Sequence, residues 1–188
     1  MQGVSGIVLA GGLGRRMGGV DKGLQLLHGR PMIAHVLARL APQVEDIVIN
    51  ANQNPERYAA FGHRVVPDEI GGFAGPLAGL HAGLGAISHP IAVSVPCDSP
   101  FLPEDLVARL HAELGSNDLA VAKTGDQPHP VFALVRRSVA DNLRSFLANG
   151  GRKIDAWYAS LKVVEVLFDD EADAFRNINT LEELRSAR

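Results

Sequence analysis

The chain is poor in the residue types on which several functions depend. Its 188 residues include a single cysteine, Cys97. No disulfide forms within the chain, and neither Cys-x-x-Cys nor His-Glu-x-x-His offers a zinc ligand set. Aromatic residues make up 5% of the whole, so aliphatic side chains must build the core. A net charge of −3 gives no global attraction to nucleic acid or to an acidic membrane surface. No apolar run approaches the ~20 residues that span a bilayer. The first residues, Met1-Gln2-Gly3-Val4-Ser5, lack the basic segment and cleavage site of a secretory signal. A cytoplasmic protein is therefore expected. With no repeat, low-complexity tract or linker, residues 1–188 read as a single domain.

Glycine is plentiful, and its densest cluster carries the strongest functional signal. The stretch Leu9-Ala10-Gly11-Gly12-Leu13-Gly14-Arg15-Arg16-Met17-Gly18-Gly19-Val20-Asp21-Lys22 follows the apolar run Gly6-Ile7-Val8-Leu9, which reads as a buried strand. Glycines let backbone N–H groups close on an anion, and Arg15, Arg16 and Lys22 add positive charge to the same loop. It is not a P-loop, because Lys22 is followed by Gly23 and no hydroxyl stands beside it for magnesium. Nor is it the dinucleotide fingerprint, since Met17 falls where the third glycine belongs. A loop of this third kind suits a triphosphate.

Strand-length apolar runs alternate with helical patterns, the mark of α/β architecture. Ile7-Val8-Leu9, Asp46–Asn50, the weaker Arg64–Pro67, and Ile91–Val95 read as strands, as do Leu119–Ala122, Val131–Val135 and Lys162–Phe168. Pro31 opens a helix whose inner face is Met32, Ile33, Val36, Leu37 and Leu40, and Pro103 opens another with Leu106, Val107, Leu110 and Leu114 inside. Further helices are expected around Val139–Leu147 and Lys153–Leu161. Gly71–Gly79 reads as a flexible loop before a helix through Leu80, Leu84 and Ile87, and Thr180 with Glu183 has the spacing of a capping box. The expectation is a three-layer α/β domain with a mainly parallel sheet and an antiparallel edge toward the C-terminal half. In such sheets ligands collect beyond the carboxyl ends of the strands, where the first loop, Asn50, Asp68 and Asp98 all fall.

Several residues at that end could carry phosphate chemistry. Asp98 ends the clearest central strand and is the candidate magnesium ligand; capping the turn before Ser99-Pro100 is the competing use. Asp68 reads equally as a turn or cap residue. Lys22 would pair with phosphate oxygens, and one of Arg15 and Arg16 would grip phosphate while the other faces solvent. The segment Gly75–Gly79 could approach a base with its backbone. Cys97 reads as core packing, and His129 lies in Gln127-Pro128-His129-Pro130, a loop before a strand. Asn177 and Asn179, two residues apart, share one face of an extended segment and could hydrogen-bond a heterocycle. Gly151-Arg152-Lys153 supplies basic groups for a phosphorylated acceptor or simply starts a helix.

The run Leu-Ala-Gly-Gly-x-Gly-x-Arg-Met-Gly-x-x-x-Lys resembles the signature of nucleotidyltransferases that join a nucleoside monophosphate to a phosphorylated acceptor. The fuller Arg15–Leu24, with His129-Pro130 before a strand and Asn177-Ile178-Asn179-Thr180, is similar to the molybdenum cofactor guanylyltransferases. The likeness runs from about Ser5 to Leu184; Leu181 stands where that family usually has proline. The resemblance implies a Rossmann-like α/β/α nucleotidyltransferase fold. It implies GMP transfer from GTP to the phosphate of molybdopterin with Mg2+ on Asp98, and Lys22, Asp98 and Arg16 as catalytic residues. Leu9, Ala10, Gly11, Gly12, Gly14, Arg15, Lys22, Asn50, Asp68, Leu77, Gly79 and Asp98 would line the nucleotide side, with Asn177 and Asn179 on the pterin side. It further implies a monomer that hands its product to cofactor-insertion proteins and molybdoenzymes, without nucleic acid or membrane. The rival readings are a cytidylyltransferase for the same pterin, a sugar-phosphate nucleotidyltransferase, and a non-catalytic cofactor-binding chaperone. Lys22 and Asp98 argue against the last.

Overall fold

A computed structural model describes residues 3–12, 21–70, 75–178 and 183. The chain opens on β1 (Val4–Leu9). After the first loop, a small two-stranded ladder, β2 (Leu26–Leu27) and β3 (Arg30–Pro31), leads into α1 (Met32–Leu40). There follow β4 (Asp46–Asn50), α2 (Pro55–Ala59), β5 (Arg64–Val66), α3 (Pro76–Ala86), β6 (Ile91–Pro96) and α4 (Leu106–Leu114). The rest consists of β7 (Leu119–Thr124), β8 (Gln127–Arg136), α5 (Ala140–Ala148), α6 (Ile154–Tyr158) and β9 (Val163–Leu167). Seven strands form one sheet in the order β5-β4-β1-β6-β8-β7-β9.

Period-two alternation along each strand sends its side chains to two cores. Val4 and Val8 of β1, Ile47 and Ile49 of β4, and Val93 and Val95 of β6 pack with α1 and α4. Ile7, Val48 and Ala92 face the opposite way and pack with α3, α5 and Trp157 of α6. The result is the α/β/α layering expected from the alternation of apolar runs. On α1 the residues expected to face inward, Met32, Ile33, Val36, Leu37 and Leu40, are all buried.

Three details depart from the sequence reading. The sheet is mainly parallel, but its antiparallel member is not at the edge. β8 runs antiparallel between β6 and β7, and the outermost β9 pairs parallel to β7. A two-residue turn at Gly125-Asp126 folds β8 straight back from β7, so its first residues are strand rather than the loop expected around His129. Pro128 and Pro130 hide this in the sequence, because proline reads as a strand breaker. Finally, Pro76–Gly79 form the first turn of α3 rather than the end of a loop. Pro76 stands where the helix N–H is unneeded, and Gly79, which reads as loop, is with Gly83 where the helix meets the sheet.

Candidate active site

Strand order reverses on either side of β1, with β4 and β5 on one flank and β6 on the other, and all four are parallel. Their C-terminal ends therefore open on one crevice at the topological switch point. Backbone bonds stitch its rim: Ala10 N donates to Asn50 O at 2.8 Å, Cys97 N to Leu9 O at 3.1 Å, and Ala51 N to Val66 O at 3.0 Å. Leu9, Ala10, Gly11 and Gly12 lie at that rim. Gly14, Arg15, Arg16 and Asn179, also expected at the site, lie outside the described residues, as do Thr180 to Glu182 of the expected capping box.

Across the crevice Lys22, on a single turn of 3-10 helix spanning Lys22–Leu24, places Nζ 3.2 Å from Asp98 Oδ2. Asp98 is 9% exposed, at the end of the strand that also buries Cys97. Burial, reinforced by the neighbouring Asp98 charge, pushes the Cys97 thiol well above its ordinary range, and the side chain packs in the core beneath the crevice. Its role is packing, as the sequence suggested.

A second group of side chains organises the β4–β5 side. Asn50 is 2% exposed, and its Nδ2 donates to Val66 O at 3.2 Å and to Asp68 Oδ1 at 2.9 Å. Asn52 Nδ2 donates to Asp68 Oδ2 at 3.0 Å and to Gly11 O at 3.2 Å, while Asn52 Oδ1 accepts from Asp68 N at 2.8 Å. Both oxygens of Asp68 are thereby oriented, and the glycine loop is tied to the same carboxylate. Asn52 was missed in the sequence. The signal was present, since Asn50 and Asn52 have the two-residue spacing that puts side chains on one face. Leu77 is fully buried in the core, so any contribution from it to a ligand comes from its backbone. Gly79 lies directly against the Asn50 amide.

The C-terminal segment closes the other side. Ile178 N donates to Asp98 O at 2.9 Å, and Ser99 Oγ donates to Asn177 Oδ1 at 2.5 Å. Ile178 is anchored beneath by Leu27 and Met32, which leaves the exposed Asn177 beside Asp98. His129 stacks on Phe175 with ring centroids 4.6 Å apart, and its Nε2 lies 2.7 Å from Thr124 Oγ1. Arg152 donates to Leu147 O at 3.0 Å and to Gly151 O at the end of α5.

A switch-point crevice with Gly11 and Gly12 on its rim and a lysine–aspartate pair across it suits phosphate chemistry, and the class is shown by the sequence relatives: the protein is a nucleotidyltransferase. Residues 6–163 match the MobA-like NTP transferase domain family. The chain belongs to that family, in its molybdenum cofactor guanylyltransferase branch. It is 53% identical to the molybdenum cofactor guanylyltransferase of Cupriavidus necator, over 97% of this chain and 95% of that one. It is 55% identical to the Burkholderia vietnamiensis protein of the same name, over 96% and 93%. The crystal structure of molybdopterin-guanine dinucleotide biosynthesis protein A from Archaeoglobus fulgidus superposes with a TM-score of 0.81 at 30% identity, covering 96% of this chain and 95% of that one.

Proposed function

We propose that this chain transfers GMP from GTP to the phosphate of molybdopterin, forming molybdopterin guanine dinucleotide and releasing pyrophosphate. The observation that carries the reading is the Lys22–Asp98 pair, set between the glycine-loop rim and the tethered Asn177. An acceptor phosphate oxygen forms a bond to the α-phosphorus while the bond to the β-phosphate oxygen breaks. Pyrophosphate takes the electron pair, and no covalent enzyme intermediate is needed. Such a step asks the protein for alignment and charge neutralisation rather than for a nucleophile. Lys22, with one of Arg15 and Arg16, meets the charge that grows on the leaving pyrophosphate. The backbone N–H groups of Gly11 and Gly12 would cradle the phosphates, with Gly14 of the same loop expected to join them.

The donor chemistry fits magnesium. Among the described residues no cluster of three His, Cys, Asp or Glu could cage a metal. Magnesium characteristically needs no such cage, because it takes one or two carboxylates and completes its shell with phosphate oxygens and water. Asp98 would hold it, and the ion would supply charge neutralisation at the phosphates. Mg2+ alone should then bind weakly, and Mg2+ with GTP tightly.

On the base side, Asp68 faces the nucleotide with both oxygens already oriented by Asn50 and Asn52. A carboxylate accepts from the adjacent N1–H and N2–H groups of guanine, a donor pair that cytosine lacks. Asn52→Ala should raise KM for GTP about fivefold, the loss of roughly one hydrogen bond's worth of preorganisation, and leave kcat within about twofold. Steady-state kinetics check this, and an unchanged KM would remove Asp68 orientation from the account. On the acceptor side, Asn177 and Asn179 would hydrogen-bond the pterin, so the N-terminal part serves GTP and the C-terminal part the acceptor. The reaction would take place in the cytoplasm. Among the described residues no helix is long and apolar enough to cross a membrane.

The direct test supplies molybdopterin, Mg2+ and each nucleoside triphosphate in turn and follows pyrophosphate. Release with GTP alone is expected. Release with CTP but not GTP would overturn the guanylyl assignment, and GTP binding without release from any nucleotide would indicate a binding protein. In thermal unfolding, GTP with Mg2+ at 100 times Kd should stabilise by about 2.7 kcal/mol.

A further inference from the structure

Beneath Lys22 lies a partly buried polar cluster to which none of the roles above is assigned. The Asp21 carboxylate is held at both oxygens by side chains of the α2 region. Its Oδ1 accepts a short hydrogen bond from Tyr58 Oη, and its Oδ2 accepts from Asn54 Nδ2 at 3.0 Å. Tyr58 is wholly buried. Burial pushes its phenol upward from the usual range, so it stays a protonated donor at working pH. Asn54 adopts a left-handed backbone, φ 48 and ψ 44, a conformation asparagine tolerates better than most residues.

The same aspartate closes the turn that carries Lys22. Leu24 N donates to Asp21 O at 3.3 Å, Gln25 Nε2 donates to that carbonyl at 3.2 Å, and Gln25 N donates to Lys22 O at 3.1 Å. The turn is pressed onto its floor at Gly23, where a Cβ would stand 2.6 Å from Tyr58 Oη and 3.2 Å from Cys97 Sγ. Only glycine permits that approach. The Lys22 backbone is therefore clamped at Asp21 on one side and at Gly23 on the other.

We propose that Asp21, gripped by Tyr58 and Asn54, is a positioning residue that aims Lys22 at Asp98 and the triphosphate. This rests on the reading of Lys22 and Asp98 as the phosphate-handling pair. The physical reason is preorganisation: a lysine side chain has four rotatable bonds, and anchoring its backbone removes much of the search for a productive geometry. None of the three residues needs to touch substrate for this effect.

Tyr58→Phe deletes the hydroxyl and keeps the ring, and Asn54→Gly keeps the left-handed backbone and deletes the amide. Each is measured for GTP affinity with Mg2+ by calorimetry, using a slowly reacting analogue, and for kcat. The folded fraction is checked by circular dichroism. Each should weaken affinity and lower kcat on the order of tenfold, since small misplacements of a catalytic group are amplified in rate. Asp21→Asn should lose at least as much as Asn54→Gly, because its NH2 opposes Asn54 and its neutral amide oxygen accepts more weakly from Tyr58. The decisive comparison is Tyr58→Phe in a Lys22→Ala background, where affinity should change by less than about twofold if the hydroxyl acts through the lysine. Equal losses in both backgrounds, or no loss in the parent, would overturn the proposal. Parent-like affinity and turnover in Lys22→Ala alone would instead overturn the lysine reading on which it rests, a result distinguishable from the other two.

Discussion

Asp98→Asn should leave a folded protein whose turnover is lower by about a thousandfold, the scale seen when one preorganised electrostatic partner is removed from a reacting centre. Asparagine keeps the shape but offers magnesium a neutral oxygen in place of an anionic one, and magnesium prefers hard anionic ligands. The fold should survive because the contacts made by the Asp98 backbone remain, including the bond from Ile178 N to Asp98 O at 2.9 Å. The ion pair between Lys22 and residue 98 at 3.2 Å loses its charge, but the Lys22 side chain is 21% exposed to water, so the stability change should stay near 1 kcal/mol. Binding of metal-free GTP should be unchanged or tighter, because a negative charge has left the phosphate site. Turnover measured across a magnesium titration, with a thermal melt alongside, checks each part. Parent-level turnover would return Asp98 to the role of a turn cap.

The second large effect is predicted at a residue with no side chain. Gly79 is where α3 approaches the sheet: a Cβ there would overlap Asn50 Oδ1 and stand 2.8 Å from Asn50 Cγ and 3.1 Å from Leu9 Cδ2. Asn50 has no room to retreat, being 2% exposed with its Nδ2 bonded to Val66 O and Asp68 Oδ1. Overpacking of this kind costs about 1–3 kcal/mol, against which alanine regains about 0.5–1 kcal/mol of helix propensity. A net loss near 1–2 kcal/mol should lower Tm by about 2–8 °C in a chain of this length. Because the displaced side chain is the one holding Asp68, KM for GTP should also rise about tenfold. Gly83→Ala is the control. Its Cβ would meet Ile7 Cγ2 at 2.6 Å and Cδ1 at 2.9 Å, on the same helix face but away from Asp68. It should lower Tm comparably while leaving KM unchanged. If both variants raise KM alike, the coupling from Gly79 through Asn50 to Asp68 is absent.

Much of this architecture was legible before any coordinates. β1, β4 and β6 are short apolar runs ending at a glycine loop, Asn50 and Pro96-Cys97-Asp98, and period alone marks them. The inward face of α1 follows from the spacing of Met32, Ile33, Val36, Leu37 and Leu40. Other elements were misread where local signals oppose the fold. Gly79 reads as loop, yet it lies in the first turn of α3 and lets that helix sit against Asn50. Pro128 and Pro130 obscure the start of β8.

The site divides in the same way. The residues proposed for the nucleotide, from the glycine cluster to Lys22, Asp68 and Asp98, were set in place along the chain by local pattern. A strand ending in a loop must deliver that loop to one end of a parallel sheet. Their partners came from elsewhere in the chain. Asn52 reaches Asp68, Tyr58 and Asn54 hold Asp21, and Ser99 meets Asn177 across separations of 16, 37, 33 and 78 residues. No periodicity encodes such pairings, because they depend on how four crossover connections stack their ends. The sequence by itself thus determined which chemistry the crevice could perform and at which end of the sheet. Only the tertiary structure decided which side chains orient those groups, since hydrogen-bond geometry exists only once distant segments share a surface.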